Sequence, residues 1–211
     1  FLSANDLTLP EFFERSAALL DKYPESPISI ANVYSYIEAS DKYIYSDLGI
    51  ARSETYIHPE LAFEILKRSY FTAQTNSCMF RREFVLSIGG MPSDLQSFSD
   101  SYLVYRCLIE LGFCYVPAPL SVYVERKQSY SIIHTQQKSL LKNIIVNYLH
   151  HLKPLGDIAV RFRKVGIFPS HDLWVLWQVT KDADLRWFLS SRFARRCILY
   201  SVWSLFRSRT P

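Results

Sequence analysis

The sequence is defined first by what it lacks. No C-x-x-C pair occurs among Cys78, Cys107, Cys114 and Cys197, and no histidine stands at metal-ligand spacing to them. That excludes the common zinc and dithiol-redox patterns and leaves four reduced, buried cysteines as the expectation. There is no G-x-S-x-G elbow and no glycine-rich phosphate loop, which removes the usual hydrolase and P-loop signatures. No stretch approaches about 18 consecutive apolar residues, so no transmembrane helix is expected. Internal repeats and low-complexity tracts are also missing. The chain starts with Phe1-Leu-Ser, neither a signal peptide nor a start site. We therefore expect the numbering to begin inside something larger.

What is present is a folded composition. Of the 211 residues 49% are hydrophobic, 15% aromatic and 21% charged, which argues against global disorder. The net charge of +4 hides an asymmetry. Residues 1–137 hold 11 Lys/Arg and 16 Asp/Glu, a net −5, whereas residues 138–211 hold 13 and 4, a net +9. A basic, aromatic tail behind an acidic domain points to an anionic partner surface.

Local patterns give a coarse order of elements. Phe1-Leu2 is an apolar stub that leads into the polar run Ser3-Ala-Asn5-Asp6. Pro10-Glu11 suits the first turn of a helix running to about Tyr23. Ile28 to Ile37 is rich in β-branched residues and alternates, as a strand does. Strand end, acidic loop, helix and strand together form one turn of an open α/β sheet, where ligands bind at the carboxyl ends of strands. Residues 38–57 read as a loop or short hairpin, and His58-Pro59-Glu60 opens a helix. Residues 75–80 read as a short buried strand, followed by a short helix from Arg81 that ends before Gly89-Gly90. A strong helix covers 101–111, with Gly112 as its cap. Phe113 to Val124 is then a strand, which Pro117 and Pro119 direct to a sheet edge. From Thr135 onward the pattern is helical, over 135–152, 155–164, 170–178 and 182–206.

Three blocks carry a resemblance. Phe1-Leu-Ser-Ala-Asn-Asp-Leu-Thr-Leu-Pro-Glu is similar to a strand that ends in an acidic metal motif and leads into a Pro-Glu helix. Asn76-Ser-Cys-Met-Phe-Arg-Arg-Glu-Phe-Val-Leu-Ser-Ile-Gly-Gly-Met is similar to a buried strand, an Arg-Arg-Glu helix and a Gly-Gly turn. Ser99-Asp-Ser-Tyr-Leu-Val-Tyr-Arg-Cys-Leu-Ile-Glu-Leu-Gly-Phe-Cys-Tyr-Val-Pro is similar to an acidic-pair helix with its Arg and following strand. In this order and spacing the chain resembles the second half of a family 2 glycosyltransferase with a GT-A fold. The resemblance covers about residues 1–133.

It implies an α/β fold class: a partial GT-A mixed sheet with flanking helices over 1–133, followed by an α-helical basic extension over 134–211. It further implies inverting transfer from a nucleotide-diphospho-sugar donor to a saccharide or lipid-linked acceptor hydroxyl, in cell-surface polysaccharide or glycolipid synthesis. Asp100 matches the catalytic base, which takes the acceptor proton. Ser99 stands where the family often has a second acid, and this removes a like charge from beside Asp100. Asp6 matches the last acid of the metal motif and would hold Mg²⁺ or Mn²⁺. Ser3 and Asn5 occupy places more often filled by aspartates, so Asn5 is assigned to substrate instead. Gly89, Gly90 and Arg126 complete the substrate-binding set. Arg81, Arg82 and Arg106 are read as structural or surface residues, His134 as structural, and His150-His151 as a solvated helix face. The nucleotide-binding half of such a domain is not contained in the blocks, so the 211 residues alone are expected to be inactive.

The segment 186–209 interleaves arginines with Trp187, Phe188, Phe193, Tyr200, Trp203 and Phe206. This suggests peripheral membrane contact and a place at the inner, cytoplasmic face of a cell membrane. No nucleic-acid module is found. The competing expectation is a degenerate domain with Ser3 and Asn5 in its acidic motif, serving as a binding or membrane-docking module.

Overall fold

Ile28–Ile37 (β2) is the strand around which the structure, a computed structural model, is organised. Its first six residues are all buried. The structure describes residues 6–69, 71, 73–126, 137–168 and 170–207, with the side chains of 205–207 excepted. β2 runs parallel to Phe113–Glu125 (β6), and antiparallel to Lys42–Ser46 (β3) and Cys78–Phe80 (β5). Leu7–Thr8 (β1) and Thr55–Ile57 (β4) pair antiparallel with β6. The result is a six-stranded mixed sheet.

Proline content points to an edge position for β6, but it is an interior strand, flanked by β2 on one side and by β1 and β4 on the other. The reason is a local irregularity. Ala31 pairs with Val116 and Asn32 with Pro119, so the register shifts where Pro117 and Ala118 fall. A bulge removes the ladder positions at which proline's missing N–H would be felt.

Both faces of the sheet are covered, as its alternating side chains require. Phe12–Lys22 (α1) packs Phe12, Leu19 and Leu20 on Ala31, Cys114 and Val116. On the other face Pro59–Arg68 (α2) and Ser99–Leu111 (α4) bury Ala62, Leu66, Leu103 and Leu108 against Ile28, Ile30 and Tyr115. Between them lies the six-residue helix Arg82–Ser87 (α3).

Four further helices follow: Lys138–Leu152 (α5), Asp157–Val165 (α6), Leu173–Lys181 (α7) and Ser191–Arg207 (α8). The expected long helix over 182–206 is broken. Arg186–Phe188 forms a 3₁₀ turn, and Ser190 Oγ accepts from Phe193 N at 3.2 Å to start α8. The expected boundary at 133/134 lies outside the described residues. The helices beyond it share the apolar core of α2 and α4. Tyr102 on α4 meets Tyr148 on α5 at 5.5 Å, Tyr148 meets Phe168 at 5.1 Å, and Phe168 meets Phe193 on α8 at 5.9 Å.

Gly112 closes α4 at φ +72°, where a Cβ would lie 2.1 Å from Ile57 O. Gly166 closes α6 at φ +68°, where a Cβ would lie 2.7 Å from Phe193 N. Only glycine combines that conformation with so close an approach of two backbones. All four cysteines are free and buried. Burial pushes the Cys78 and Cys197 thiols up to about 12, which makes them unreactive near neutral pH.

Candidate active site

The two acids singled out in the sequence sit on neighbouring elements. Asp6 directly precedes β1. Its Oδ1 accepts from Val124 N at 3.0 Å, near the carboxyl end of β6. Asp6 therefore ties β1 to β6 and is not a helix cap, since α1 starts from Glu11. Its second oxygen has no partner among the described residues.

Asp100 lies in the first turn of α4, half-buried. Its Oδ1 accepts from Ser101 N at 2.6 Å and Ser101 Oγ at 3.3 Å. Its Oδ2 accepts from Thr75 Oγ1 at 2.8 Å. A carboxylate has about four lone-pair sites, so these contacts orient the group and still leave acceptor capacity. The N-terminal end of α4 favours negative charge at this place. Ser99 turns away, its Oγ donating to Gln96 O.

A short bridge joins the two acids. Thr75 is followed by Asn76 in the 3₁₀ turn Thr75–Ser77. Asn76 Nδ2 donates to Val122 O at 3.1 Å, and Val122 pairs with Leu7, the neighbour of Asp6. Asn76 Oδ1 is buried without a hydrogen-bond partner among the described residues. Such a group carries a desolvation cost of about 1–3 kcal/mol. Thr75 and Asn76 were not singled out in the sequence as site residues. Their polar run ahead of Cys-Met-Phe is the available signal, and the strand expected over 75–80 begins only at Cys78.

The other candidates fall in different places. Arg126 Nε lies 3.5 Å from Glu38 Oε1, across the carboxyl ends of β6 and β2. It is exposed and directly follows β6, the strand that carries Val124, close in sequence to the contact of Asp6. Gly89 and Gly90, at φ +85° and +77°, close α3 through Gly90 N to Val85 O at 2.8 Å and Gly89 N to Leu86 O at 3.1 Å. This paired arrangement is the Schellman helix end. Open space surrounds both glycines, and no described contact joins them to Asp6 or Asp100. Asn5 and His134 lie outside the described residues.

Two of the arginines have structural tasks. Arg81 donates to Ser26 O at 2.9 Å and also to Leu20 O, fastening the end of α1. Arg106 is buried and pairs with Glu110. His151 differs from its expected role as part of a solvated face. Its Nε2 meets the Asp94 carboxylate at 2.9 Å, and its ring faces Tyr102.

A second polar cluster sits deeper in the sheet. Buried Asn32 donates to Tyr45 Oη at 2.9 Å and Asp47 Oδ1 at 3.0 Å, and accepts from Tyr115 Oη at 2.8 Å. The Gly49 N–H, with Asn32 and Tyr115, holds the Asp47 carboxyl below its ordinary range. Burial pushes the Tyr115 phenol up to about 12. Through Asn32, which also accepts from Leu48 N at 3.1 Å, the cluster locks the 46–50 loop to the sheet.

For a divalent ion the donor set is small. No three His, Cys, Asp or Glu residues among the described ones could hold a metal together. Mg²⁺ commonly takes one or two carboxylates and completes its shell with phosphate and water. Asp6 fits that pattern for an ion that arrives with a diphosphate. It does not form a pre-built cage.

Two further concavities lie among the described residues. A groove of about 460 Å³ between α1 and α3 is apolar, with Phe12, Phe13, Phe80 and Leu86 around Arg82. A cleft of about 370 Å³ between α2 and α8 is strongly basic. Of the aromatics expected to face a membrane, Phe188 and Phe193 are fully buried and Trp187 is partly buried on the core. Among the large apolar residues of α8, exposure begins at Ile198. No described helix is long and apolar enough to cross a membrane.

Comparison with known proteins finds no matching family model and no matching curated protein.

Proposed function

We propose that the chain is the acceptor side and base-bearing part of an inverting glycosyltransferase of GT-A type, using a nucleotide-diphospho-sugar. The observation that supports this reading best is the Asp100 carboxylate. It is held by Thr75 and Ser101 at the start of α4 and is linked through Asn76 and Val122 to the strand beside Asp6.

In this reading Asp100 takes the proton of the acceptor hydroxyl as that oxygen attacks the anomeric carbon. A single displacement inverts the centre, so no enzyme nucleophile is needed. Asp6 would hold Mg²⁺ or Mn²⁺, which offsets charge on the leaving diphosphate. Arg126 is placed at the same strand ends to meet phosphate once it leaves Glu38. The acceptor is a saccharide or a lipid-linked saccharide, and the work is done at the cytoplasmic face of a membrane in surface-polysaccharide or glycolipid assembly.

The test is turnover of UDP-sugars with Mn²⁺ by the full-length protein. We expect Asp100→Asn to lower turnover about 10²- to 10⁴-fold with the fold intact. Unchanged turnover would remove the base assignment. A second reading has its own observation, the single carboxylate at Asp6 without a supporting metal cluster among the described residues. It makes the domain a catalytically degenerate binding or docking module. Donor binding without product, insensitive to Asp100→Asn, selects that reading.

A further inference from the structure

The basic cleft holds more cation than the fold uses. It lies where the C-terminus of α2 meets the first turns of α8, lined by Lys67, Arg68, Arg192, Arg195, Arg196 and Leu199 among others. Part of its charge is structural. Arg192 donates to Lys67 O, and Arg196 to Leu66 O at 2.6 Å. These carbonyls are the unpaired, negative end of α2, which arginines satisfy. Lys67 pairs with Glu64 at 2.7 Å. Arg68 and Arg195 have no such task. Both are exposed, and neither makes a hydrogen bond or ion pair among the described residues. No acid lines the cleft among the described residues.

The same helix continues into an apolar face. Arg192, Arg195, Arg196 and Leu199 follow i, i+3, i+4, i+7 spacing and share one side of α8. Trp203 continues that side one turn past Leu199. Leu199, 55% exposed, belongs to both the cleft and the apolar face. Around it Ile198, Tyr200, Val202 and Trp203 are 45–51% exposed. Contiguous exposed apolar surface of this kind marks an interaction site.

We propose that this surface docks on an anionic lipid bilayer, with the phosphate of a glycerophospholipid headgroup held in the cleft by Arg68 and Arg195. Ile198, Val202 and Trp203 enter the headgroup–acyl boundary, where an aromatic ring is favoured. The choice of occupant follows from charge. Residues 138–211 carry a net +9, so a second copy would bring cation onto cation. A bilayer supplies phosphate and hydrocarbon side by side, in the order the helix presents them. The inference gives a site and a ligand class to the membrane contact in the proposed function, and it does not rest on sugar transfer.

The test uses the 211-residue chain in flotation with phosphatidylcholine vesicles, with and without phosphatidylglycerol. Binding is expected only with phosphatidylglycerol, weakening with salt. Arg68→Gln with Arg195→Gln should lower affinity about 25-fold, about 5-fold for each cation. Trp203→Ser should weaken binding with circular dichroism unchanged. Equal binding to both vesicle types, or no effect of the arginine pair in a folded variant, overturns the proposal. So does competition by free glycerol phosphate at the same concentration as vesicle lipid, which would mark a soluble-phosphate site. A stable dimer that Trp203→Ser makes monomeric, with no vesicle binding, would assign the face to a second copy. Vesicle binding that survives Asp100→Asn separates this inference from the catalytic one.

Discussion

Residues 6–126 and residues 137–207 contribute to one apolar core, yet they use polar side chains in opposite ways. In the sheet half polar groups are tied inward. Asn32 serves Tyr45, Asp47 and Tyr115, Arg81 fastens α1, and Thr75 orients Asp100. In the helical half Arg192, Arg195 and Arg196 lie along one face of α8, and Arg195, with Arg68 of α2 in the same cleft, stays uncommitted near exposed Leu199. Inward ties create geometry, which chemistry needs. Uncommitted charge beside apolar surface creates adhesion, which a partner surface needs. The contrast is the one the proposals rest on, with sugar transfer proposed for the first half and docking for the surface that α8 presents.

The largest expected effect that separates the halves is Asp100→Asn. Loss of about 10²- to 10⁴-fold in turnover amounts to about 3–5 kcal/mol of transition-state stabilisation. It should leave vesicle binding untouched. A variant that lost both would show that the two halves are coupled.

The shared core is tested by a matched pair, Gly112→Ala and Gly166→Ala. Each places a Cβ under 3.0 Å from backbone at positive φ, one in each half. Each should cost about 2–4 kcal/mol of stability. Because Tyr102, Tyr148, Phe168 and Phe193 form a continuous aromatic contact across the halves, both variants should lower one common unfolding transition. Two transitions, each moved by one variant, would divide the molecule into independent units.

Much of the sheet half was legible because its signals are local. Ile28–Ile37 emerges with the bounds its composition suggests, and Gly112 closes the helix it was expected to close. Asp100 was legible as an acid before an apolar helix. The edge assignment of β6 was wrong because a bulge depends on the partner strand, which proline content cannot report. Thr75 was missed because its contact with Asp100 spans 25 positions. The cleft is less legible still. Lys67 and Arg192 are 125 positions apart, and only the packing of α8 on α2 brings them together. The burial of Phe188 and Phe193 was hidden for the same reason, since an aromatic stripe looks alike whether it faces a core or a lipid.

Acid should weaken the helical half through His171. Burial first, and Arg196 next, lower its pKa to about 4, while its ring N–H donates to Gly166 O at 2.9 Å. The fold keeps this histidine neutral, but the unfolded chain takes up a proton below about 6.5. The unfolded state therefore binds more protons between pH 6.5 and 4, and stability falls across that window as pH falls. The full loss is about 3 kcal/mol. Urea unfolding at pH 7 and pH 4.5 measures it, and the difference should shrink in His171→Gln. An unchanged pH dependence would place the titration elsewhere.

The smallest expected effect probes how far geometry in the sheet half supports the proposed chemistry. Thr75→Val keeps the shape and removes the hydroxyl that Asp100 Oδ2 accepts. A hydrogen bond to a charged group contributes about 1.5–3 kcal/mol when buried, and this half-buried one should contribute less. Turnover should fall about 5- to 10-fold. Thr75→Ser restores the donor and should restore the rate. If Val and Ser behave alike, Thr75 only fills space, and Asp100 is oriented by Ser101 and the start of α4 alone.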